Sequence, residues 1–346
     1  MNLPKVSIIT PSLNQGEFIE ETILSVLNQN YPNIEYIVID GGSTDNTLKI
    51  LRKYNNRLTW KSEPDKGQSN AINKGFRLST GEILAWLNSD DTSEIDAVKT
   101  AVEFLTTHQD VGMVYGQCNL INEKGQKVGE FVDKLDFDYY LLTNKALNFI
   151  PQQTVFFRRK AIQEIGFLDI SLHRAMDYDY WIRIAKKFKI AYIPKVLANF
   201  RIHSAAKSAH WESFWPEILS ILLKHCGTRP LFWYFKRYYR TAKANGLSIS
   251  EARKLFERFV NGSKYFDRYR TLLQRKSLSR ACIELAKEHY LTHRKGFGIT
   301  FLSRTFRADP SIITYREFII LFLKFILGIR LSQRLRRVWF LQRKFL

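Results

Sequence analysis

Cysteine is scarce in this chain of 346 residues: Cys118, Cys226 and Cys282 are odd in number and far apart. That pattern implies neither a disulfide framework nor a zinc site, and it suits a reducing compartment. Long apolar runs are missing as well. The longest, Phe318 to Ile329, is interrupted by Lys324 and falls short of the ~20 residues needed to span a bilayer. Near the start, Val6-Ser7-Ile8-Ile9-Thr10 is too short for the apolar stretch of a signal peptide and runs straight into polar residues, so no export signal is expected. Glycine is sparse where a phosphate-cradling loop would need it. The segment Pro11-Ser12-Leu13-Asn14-Gln15-Gly16 has a single Gly, which disfavours a sugar nucleotidyltransferase, a class that normally carries a Gly-rich loop after its first strand. No internal repeat or low-complexity tract is present.

Acidic residues are also scarce, but only in one part of the chain. Residues 1–205 hold 24 Lys+Arg and 24 Asp+Glu, so the whole formal charge of +20 lies in residues 206–346. A neutral half and a strongly basic half are expected to do different jobs, the basic one facing something anionic. The hydrophobic fraction of 45% and the length suit one large α/β domain with an appendage.

What is present in the first hundred residues is an alternation of short apolar runs with helical patterns, the mark of βαβ units and a mainly parallel sheet. Strands are expected at Val6–Thr10, Glu35–Ile39, Leu58–Lys61 and Glu82–Asn88. Helices are expected over Phe18–Gln29, Thr47–Tyr54 and Ser69–Leu78. Each strand ends in a polar loop, at Asn14, Asp40, Asp65 and Asp90. Ligands of open α/β sheets bind outside the carboxyl ends of the strands, so these four loops are expected to share one crevice. The last of them, Trp86-Leu87-Asn88-Ser89-Asp90-Asp91, brings two adjacent carboxylates to a strand end. Two such charges are costly unless a cation or water separates them, and the segment reads either as a divalent metal site or as a solvated turn.

Further on, a helix around Asp96–Thr107 precedes a strand at Gly112–Leu120. A turn at Glu123-Lys124-Gly125 leads to a second strand at Lys127–Phe131. Pro151–Phe157 reads as an inner strand carrying the amides Gln152 and Gln153. A second acidic cluster, Met176-Asp177-Tyr178-Asp179-Tyr180-Trp181-Ile182-Arg183, opens a helix to about Lys187, and a strand at Ala191–Ile193 leads to Phe200-Arg201-Ile202-His203. Strand signals vanish beyond Ser204. The expected division is therefore a domain over residues 1–205 and a basic, aromatic-rich helical region over 206–346.

These motifs, in this order, resemble the inverting glycosyltransferases of family 2. The resemblance covers roughly residues 4–204 and rests on Val6-Ser7-Ile8-Ile9-Thr10-Pro11, Asp40-Gly41-Gly42-Ser43-Thr44-Asp45-Asn46-Thr47, Asp65-Lys66-Gly67 with Asn70-Ala71-Ile72-Asn73-Lys74-Gly75, Leu87–Asp91, Asp177–Arg183 and the Arg201/His203 pair. It implies a GT-A fold with a mainly parallel mixed sheet, a nucleotide-diphospho-sugar donor and a divalent metal, Mn2+ or Mg2+. By the same resemblance, Pro11, Ser12, Asn14 and Asp40 line the donor pocket, with Asp40 accepting a hydrogen bond from the base, and Asp65, Gly67, Asn70, Ser89 and Asp90 complete it. The competing structural roles are a strand-end cap for Asp40 and a plain β-to-α turn for the Asp65 loop.

Asp90 corresponds to the metal-binding aspartate of the family's D-x-D motif. The first acidic position of that motif is Asn88 here, which leaves Asp90 and Asp91 as the carboxylates, with His203 as a further metal or phosphate contact. Asp177 aligns with the family's catalytic base, where a carboxylate takes the proton of the acceptor hydroxyl as it attacks the anomeric carbon. The family's usual Glu before it is Met176, which makes Asp179 a backup. Gln152, Gln153, His173 and Arg174 are expected to face the acceptor, the two glutamines alternatively satisfying strand ends.

The basic region ends in a helical pattern in which Leu331, Leu335, Val338 and Trp339 form one stripe near Arg330, Arg334 and Arg337. This suits an anionic lipid surface, where each cation contributes on the order of 1 kcal/mol. The competing role is a helical subdomain with a solvated basic face. A cytoplasmic enzyme docked on the inner face of the membrane would meet a lipid-linked glycan acceptor, as related enzymes of surface polysaccharide synthesis do. A nucleic-acid-binding protein is the alternative reading of the charge, but the acidic strand ends at Asp40, Asp65 and Asp90 would repel a polyanion. A retaining glycosidase is disfavoured because no second pair of carboxylates presents itself.

Overall fold

A computed structural model of the chain describes residues 3–131, 135–207, 214–227 and 230–262. The chain divides into two compact units, the first comprising residues 1–143 and 147–221 and the second residues 144–146 and 222–346.

The first unit is built on a mixed sheet. Its strands are β1 (Val6–Ser12), β2 (Ile34–Asp40), β3 (Thr59–Ser62), β4 (Ile83–Trp86), β5 (Thr92–Ser93), β6 (Val111–Ile121), β7 (Lys127–Glu130), β8 (Phe156–Arg158) and β9 (Lys189–Arg201). Their order is β3-β2-β1-β4-β8-β6-β9-β5, with β7 paired to β6. The β3-β2-β1-β4 portion is parallel. β8 lies antiparallel between β4 and β6, and β6 and β9 run parallel. This is the mainly parallel mixed sheet expected of the sequence.

β1 sits in the middle of the parallel portion and every one of its residues is buried, Ser7, Thr10 and Ser12 included, as in a strand covered on both faces. Its alternation sorts the two faces. Ile8, Val38 and Ala85 join one core with residues of α1 (Ile19–Leu27), α2 (Thr47–Lys53) and α4 (Ala97–Thr107). On the other face Ile37 and Ile39 pack on Ala71 of α3 (Gln68–Leu78). α3 lies so close to β1 that a side-chain carbon at Gly75 would sit 2.4 Å from Cγ2 of Ile9. An aromatic cluster continues this second face: Trp86 stacks on Trp181 with ring centroids 5.2 Å apart, and Phe76, Phe157 and Tyr180 meet Trp86 edge-on. Trp181 and Tyr180 come from α7 (Met176–Ala185), which follows α5 (Tyr139–Asn144) and α6 (Arg159–Ile165).

Two expectations need correction. Pro151–Phe157 is not one strand: Gln152–Thr154 is a single 3-10 turn and β8 begins only at Phe156. The reason is local, because the Thr154 hydroxyl and N–H both turn back to the Pro151 carbonyl. The strand before His203 is also far longer than Ala191–Ile193, running thirteen residues as β9.

α8 (Phe214–Cys226) holds the division between the units, after Ile221. In the second unit α9 (Leu231–Ala244) and α10 (Ile249–Gly262) form a helical pair. Tyr234, Phe235, Tyr238 and Phe256 are buried there, and the Tyr238 hydroxyl donates to the Ala252 carbonyl at 2.7 Å. No described helix is long and apolar enough to cross a membrane. Cys282, the Phe318–Ile329 run and the Leu331–Trp339 stripe lie outside the described residues.

Candidate active site

The loops after β1 and β2 are bonded to one another. Asn14 takes the left-handed backbone conformation (φ 52°) that Asn tolerates. Its Oδ1 accepts the Thr44 N–H at 2.9 Å and its own N–H donates to the Ser43 hydroxyl at 2.7 Å. Gln15 N–H donates to the Thr47 hydroxyl and Gly16 N–H to the Asp45 carboxylate. Asp40, at the end of β2, is fully buried, and four groups surround its carboxylate: Gly42 and Ser43 N–H and the Ser43 and Ser62 hydroxyls, at 2.5–3.0 Å. The strand-end cap is thus what the geometry displays for Asp40. Ser12 is buried at the end of β1, and its hydroxyl oxygen has no hydrogen-bond partner.

Asp65 stands against this turn. A side-chain carbon on Gly41 would lie 2.8 Å from its Oδ2, and its Oδ1 accepts the Gly67 N–H at 2.7 Å. Gly67 has φ 102°, a conformation other residues rarely hold, and its open side faces the His173 ring. Asn70 accepts the Lys66 N–H. Gln68 then reaches across to the fourth loop, donating to Asn88 Oδ1 at 2.7 Å. The loops that the sequence placed at four strand ends therefore form one connected edge.

At that edge the two adjacent aspartates differ. Asp91 is fully buried and accepts from the Arg201 N–H at 2.9 Å and from the Asn88 amide at 3.3 Å, with Gln153 also donating to it. Burial, and then the neighbouring Asp90, push its carboxyl well above the usual carboxylate range. Asp90 retains 21% of its side-chain exposure and lies 3.1 Å from His203 Nε2. The pair expected to share a cation thus resolves into an outer Asp90 with His203 and an inner Asp91 that anchors β9. Ser89 beside them is buried.

Arg201 is the fixed point of this corner. Its guanidinium is fully buried, donates to the carbonyls of Asp90, Asn122 and Glu123 at 2.8–3.1 Å, and pairs with the Glu21 carboxylate. It also lies 5.0 Å over the ring of Phe18, which in turn packs 4.8 Å from His203.

Asp177 occupies the first turn of α7. It is partly open to solvent, and Oδ2 accepts from the Asn148 amide at 3.2 Å. The protein packed round it pushes its carboxyl up to about 6, against the pull of the Tyr178 N–H and the Asn148 amide. Asp179 does not serve as its backup, because it is fully buried and paired with Arg183 at 2.8 Å. Of the two roles expected for Gln152 and Gln153, the geometry displays the strand-end one. Gln152 donates to the Trp86 carbonyl at 2.7 Å and accepts from Asn88, while Gln153 serves Asp91, so both amides brace strand ends.

Lys207 joins this edge without having been expected from the sequence. Its ammonium donates to Gln68 Oε1 at 2.7 Å and to the His173 carbonyl at 3.3 Å, and the Arg174 guanidinium donates to the Lys207 carbonyl at 2.6 Å. Burial, then Arg174, pull its pKa down, while Glu217, Asp90 and Asp65 push it up. These interactions link the Asp65 side of the site to the Asp90 side. Nothing marked Lys207 beforehand, since it stands in no motif and follows the expected domain boundary.

Among the described residues no group of three His, Cys, Asp or Glu side chains forms a metal cage. Asp90 and His203, 3.1 Å apart, present an oxygen and a nitrogen donor that fit a divalent cation.

Residues 7–166 match the family described as Glycosyl transferase family 2. An uncharacterized glycosyltransferase of Rickettsia typhi is 29% identical over 238 residues, 64% of this chain and 73% of that protein. The chondroitin synthase of Pasteurella multocida is 26% identical over 204 residues, 58% of this chain but only 21% of the synthase. Among solved structures, S. aureus TarS 1-349 in complex with UDP-GlcNAc aligns with a TM-score of 0.57 at 17% identity, covering 80% of this chain and 86% of that one. The mannosyltransferase PcManGT from Pyrobaculum calidifontis, in complex with GDP-Man and Mn2+, aligns with a TM-score of 0.51 at 18% identity, covering 94% and 88%. These likenesses favour the transferase over the nucleic-acid reading, and the fold they share is GT-A. With its sheet, its strand-end loops and its motif order all in agreement with that match, residues 7–166 of the chain carry the features of glycosyl transferase family 2.

Proposed function

We propose that this glycosyltransferase moves a sugar from a nucleotide-diphospho-sugar to an acceptor hydroxyl with inversion at the anomeric carbon, Asp177 acting as general base. The observation that carries the proposal is the pairing of a part-exposed carboxylate, raised to about 6, with a connected edge of strand-end loops that ends in Asp90 and His203. At neutral pH Asp177 is charged and able to take a proton. As the acceptor oxygen bonds to the anomeric carbon, its proton passes to Asp177, and the bond from that carbon to the diphosphate breaks with its electron pair leaving on the nucleotide.

The donor diphosphate lies, in this reading, along Asp65, Gly67 and Asn70 toward Asp90, with Lys207 within reach. Pro11, Ser12, Asn14 and Asp40 lie on the nucleoside side. A divalent cation on Asp90 and His203 supplies charge that neutralises the diphosphate when bound. His173 and Arg174 face the acceptor. The complexes of TarS with UDP-GlcNAc and of PcManGT with GDP-Man and Mn2+ support the donor class and the metal. The similarity to a chondroitin synthase, over 21% of that protein, supports a polysaccharide role; a lipid-linked glycan as acceptor is what the family resemblance implies. The basic excess of residues 206–346 supports docking on the inner face of an anionic membrane.

A panel of nucleotide sugars scored by thermal shift with and without Mn2+ tests the donor reading, because a ligand that binds the folded state raises Tm. One donor should stabilise the protein in a Mn2+-dependent way, and Asp90→Ala should remove the Mn2+ dependence. A panel in which no nucleotide sugar raises Tm would end the proposal.

A further inference from the structure

The carboxylate of Glu217, in the first turn of α8, accepts hydrogen bonds from three consecutive backbone N–H groups. Oε1 takes that of His173 at 2.9 Å, and Oε2 takes those of Arg174 and Ala175 at 2.8 Å each. Ala175 is the residue that opens α7, and it offers no side-chain cap of its own. The first amides of a helix ordinarily find such a cap within the adjoining residues. Here the Ala175 amide, together with the two amides that precede the helix, is satisfied by a carboxylate 42 to 44 residues downstream. The same segment is tied twice more: the Arg174 guanidinium lies 5.9 Å over the Phe214 ring of α8, and its Nη1 donates to the Lys207 carbonyl. Lys207 in turn holds Gln68 of the donor-side loop.

We infer that Glu217 is a positioning residue for the transfer reaction: it fixes segment 173–175, and with it the first turn of α7, in the orientation that presents Asp177 to the acceptor. The inference rests on the reading of Asp177 as base. It also makes the start of α8 part of the reaction centre, although α8 lies beyond both the family match at residues 7–166 and the expected domain limit at 205. The charge of Glu217 has a second effect. It raises the Asp177 carboxyl, behind the larger effect of burial. Asn148 donates to Asp177, His173 and Arg174 stand on the segment that precedes it in the chain, and Asp179 and Arg183 of α7 are paired with each other.

Full-length Glu217→Ala, Glu217→Gln and Asp177→Asn proteins test this with two independent readouts. In kinetics, Glu217→Ala should lower kcat by about tenfold or more, the scale of a displaced catalytic group, with little change in donor KM. Glu217→Gln, which keeps an accepting oxygen without the charge, should recover part of that kcat. In both variants the rising limb of kcat/KM against pH should move below the wild-type midpoint, since the charge that lifts Asp177 is gone. In amide hydrogen exchange, residues 173–177 should exchange about tenfold faster in Glu217→Ala than in wild type. Wild-type kcat, pH midpoint and exchange protection in Glu217→Ala would overturn the inference. Should Glu217→Ala fail to fold, the pH midpoint and exchange of Glu217→Gln decide it. Full activity in Asp177→Asn would instead remove the base assignment, and the exchange measurement would still report on the cap.

Discussion

Asp177 concentrates the chemistry into one titration. A base that sits near 6 in the free enzyme makes kcat/KM rise with pH through about 6 and level off above it. Asp177→Asn should cost about 10²- to 10⁴-fold in transfer while leaving the donor-induced Tm shift intact. The same substitution should stabilise the protein. Because the folded carboxyl titrates near 6 against an ordinary 3.8, the fold favours its protonated form. Below about pH 4 the group is neutral whether folded or not, whereas above pH 6 it is charged in both states and destabilises the fold. Asp177→Asn should therefore melt higher than wild type at pH 8, and the gap should close as pH falls through 6 toward 4. Arg201 presents the opposite case, a buried cation that holds three carbonyls and Glu21. Arg201→Met should lower unfolding stability by about 3–5 kcal/mol in urea titration, because its acceptors would be left without a donor. Asp90, Asp177 and His203 stood out in the sequence as candidates because each belongs to a motif. Glu217 and Lys207 were not, since what distinguishes them is a contact across tens of residues that leaves no local pattern.

At the level of elements, the βαβ alternation was readable because buried parallel strands are rich in apolar, β-branched residues and their helices repeat at 3.6 residues. β1, β2, α3 and α4 lie close to their expected positions. The short antiparallel β8 was not readable. With three residues it is too brief to show a period, and Thr154 bends the segment before it. The amides of Gln152 and Gln153 turned inward for a related reason: strand ends at Trp86 and Asp91 needed donors, a demand set by the tertiary fold. The approach of α3 to β1 offers a test whose sign is informative. In an exposed helix, Gly→Ala gains about 1 kcal/mol. At Gly75 the new methyl would press on Ile9, so Gly75→Ala should destabilise by about 1–3 kcal/mol. Adding Ile9→Ala should recover part of the loss, the coupling expected of neighbours.

For the molecule as a whole, the change in composition near residue 205 read from the sequence is a different feature from the structural division after Ile221. A chain truncated after residue 205 lacks Lys207 and Glu217, and it should lose transfer and melt below the full-length protein even though it retains every motif. The basic excess of residues 206–346 leads to a separate expectation: cosedimentation with vesicles containing anionic lipid that weakens as salt rises, and none with zwitterionic vesicles. Equal binding to both vesicle types would remove the electrostatic anchor.

The bonds between the turns that follow β1 and β2 bear on how donor preference can be changed. Asn14, Gln15 and Gly16 are each latched to Ser43, Thr44, Asp45 or Thr47. A transplant of either turn from a relative would arrive without its counterpart and leave orphaned amides behind. On the proposed donor reading, changing the nucleotide preference would therefore require exchanging both pieces together.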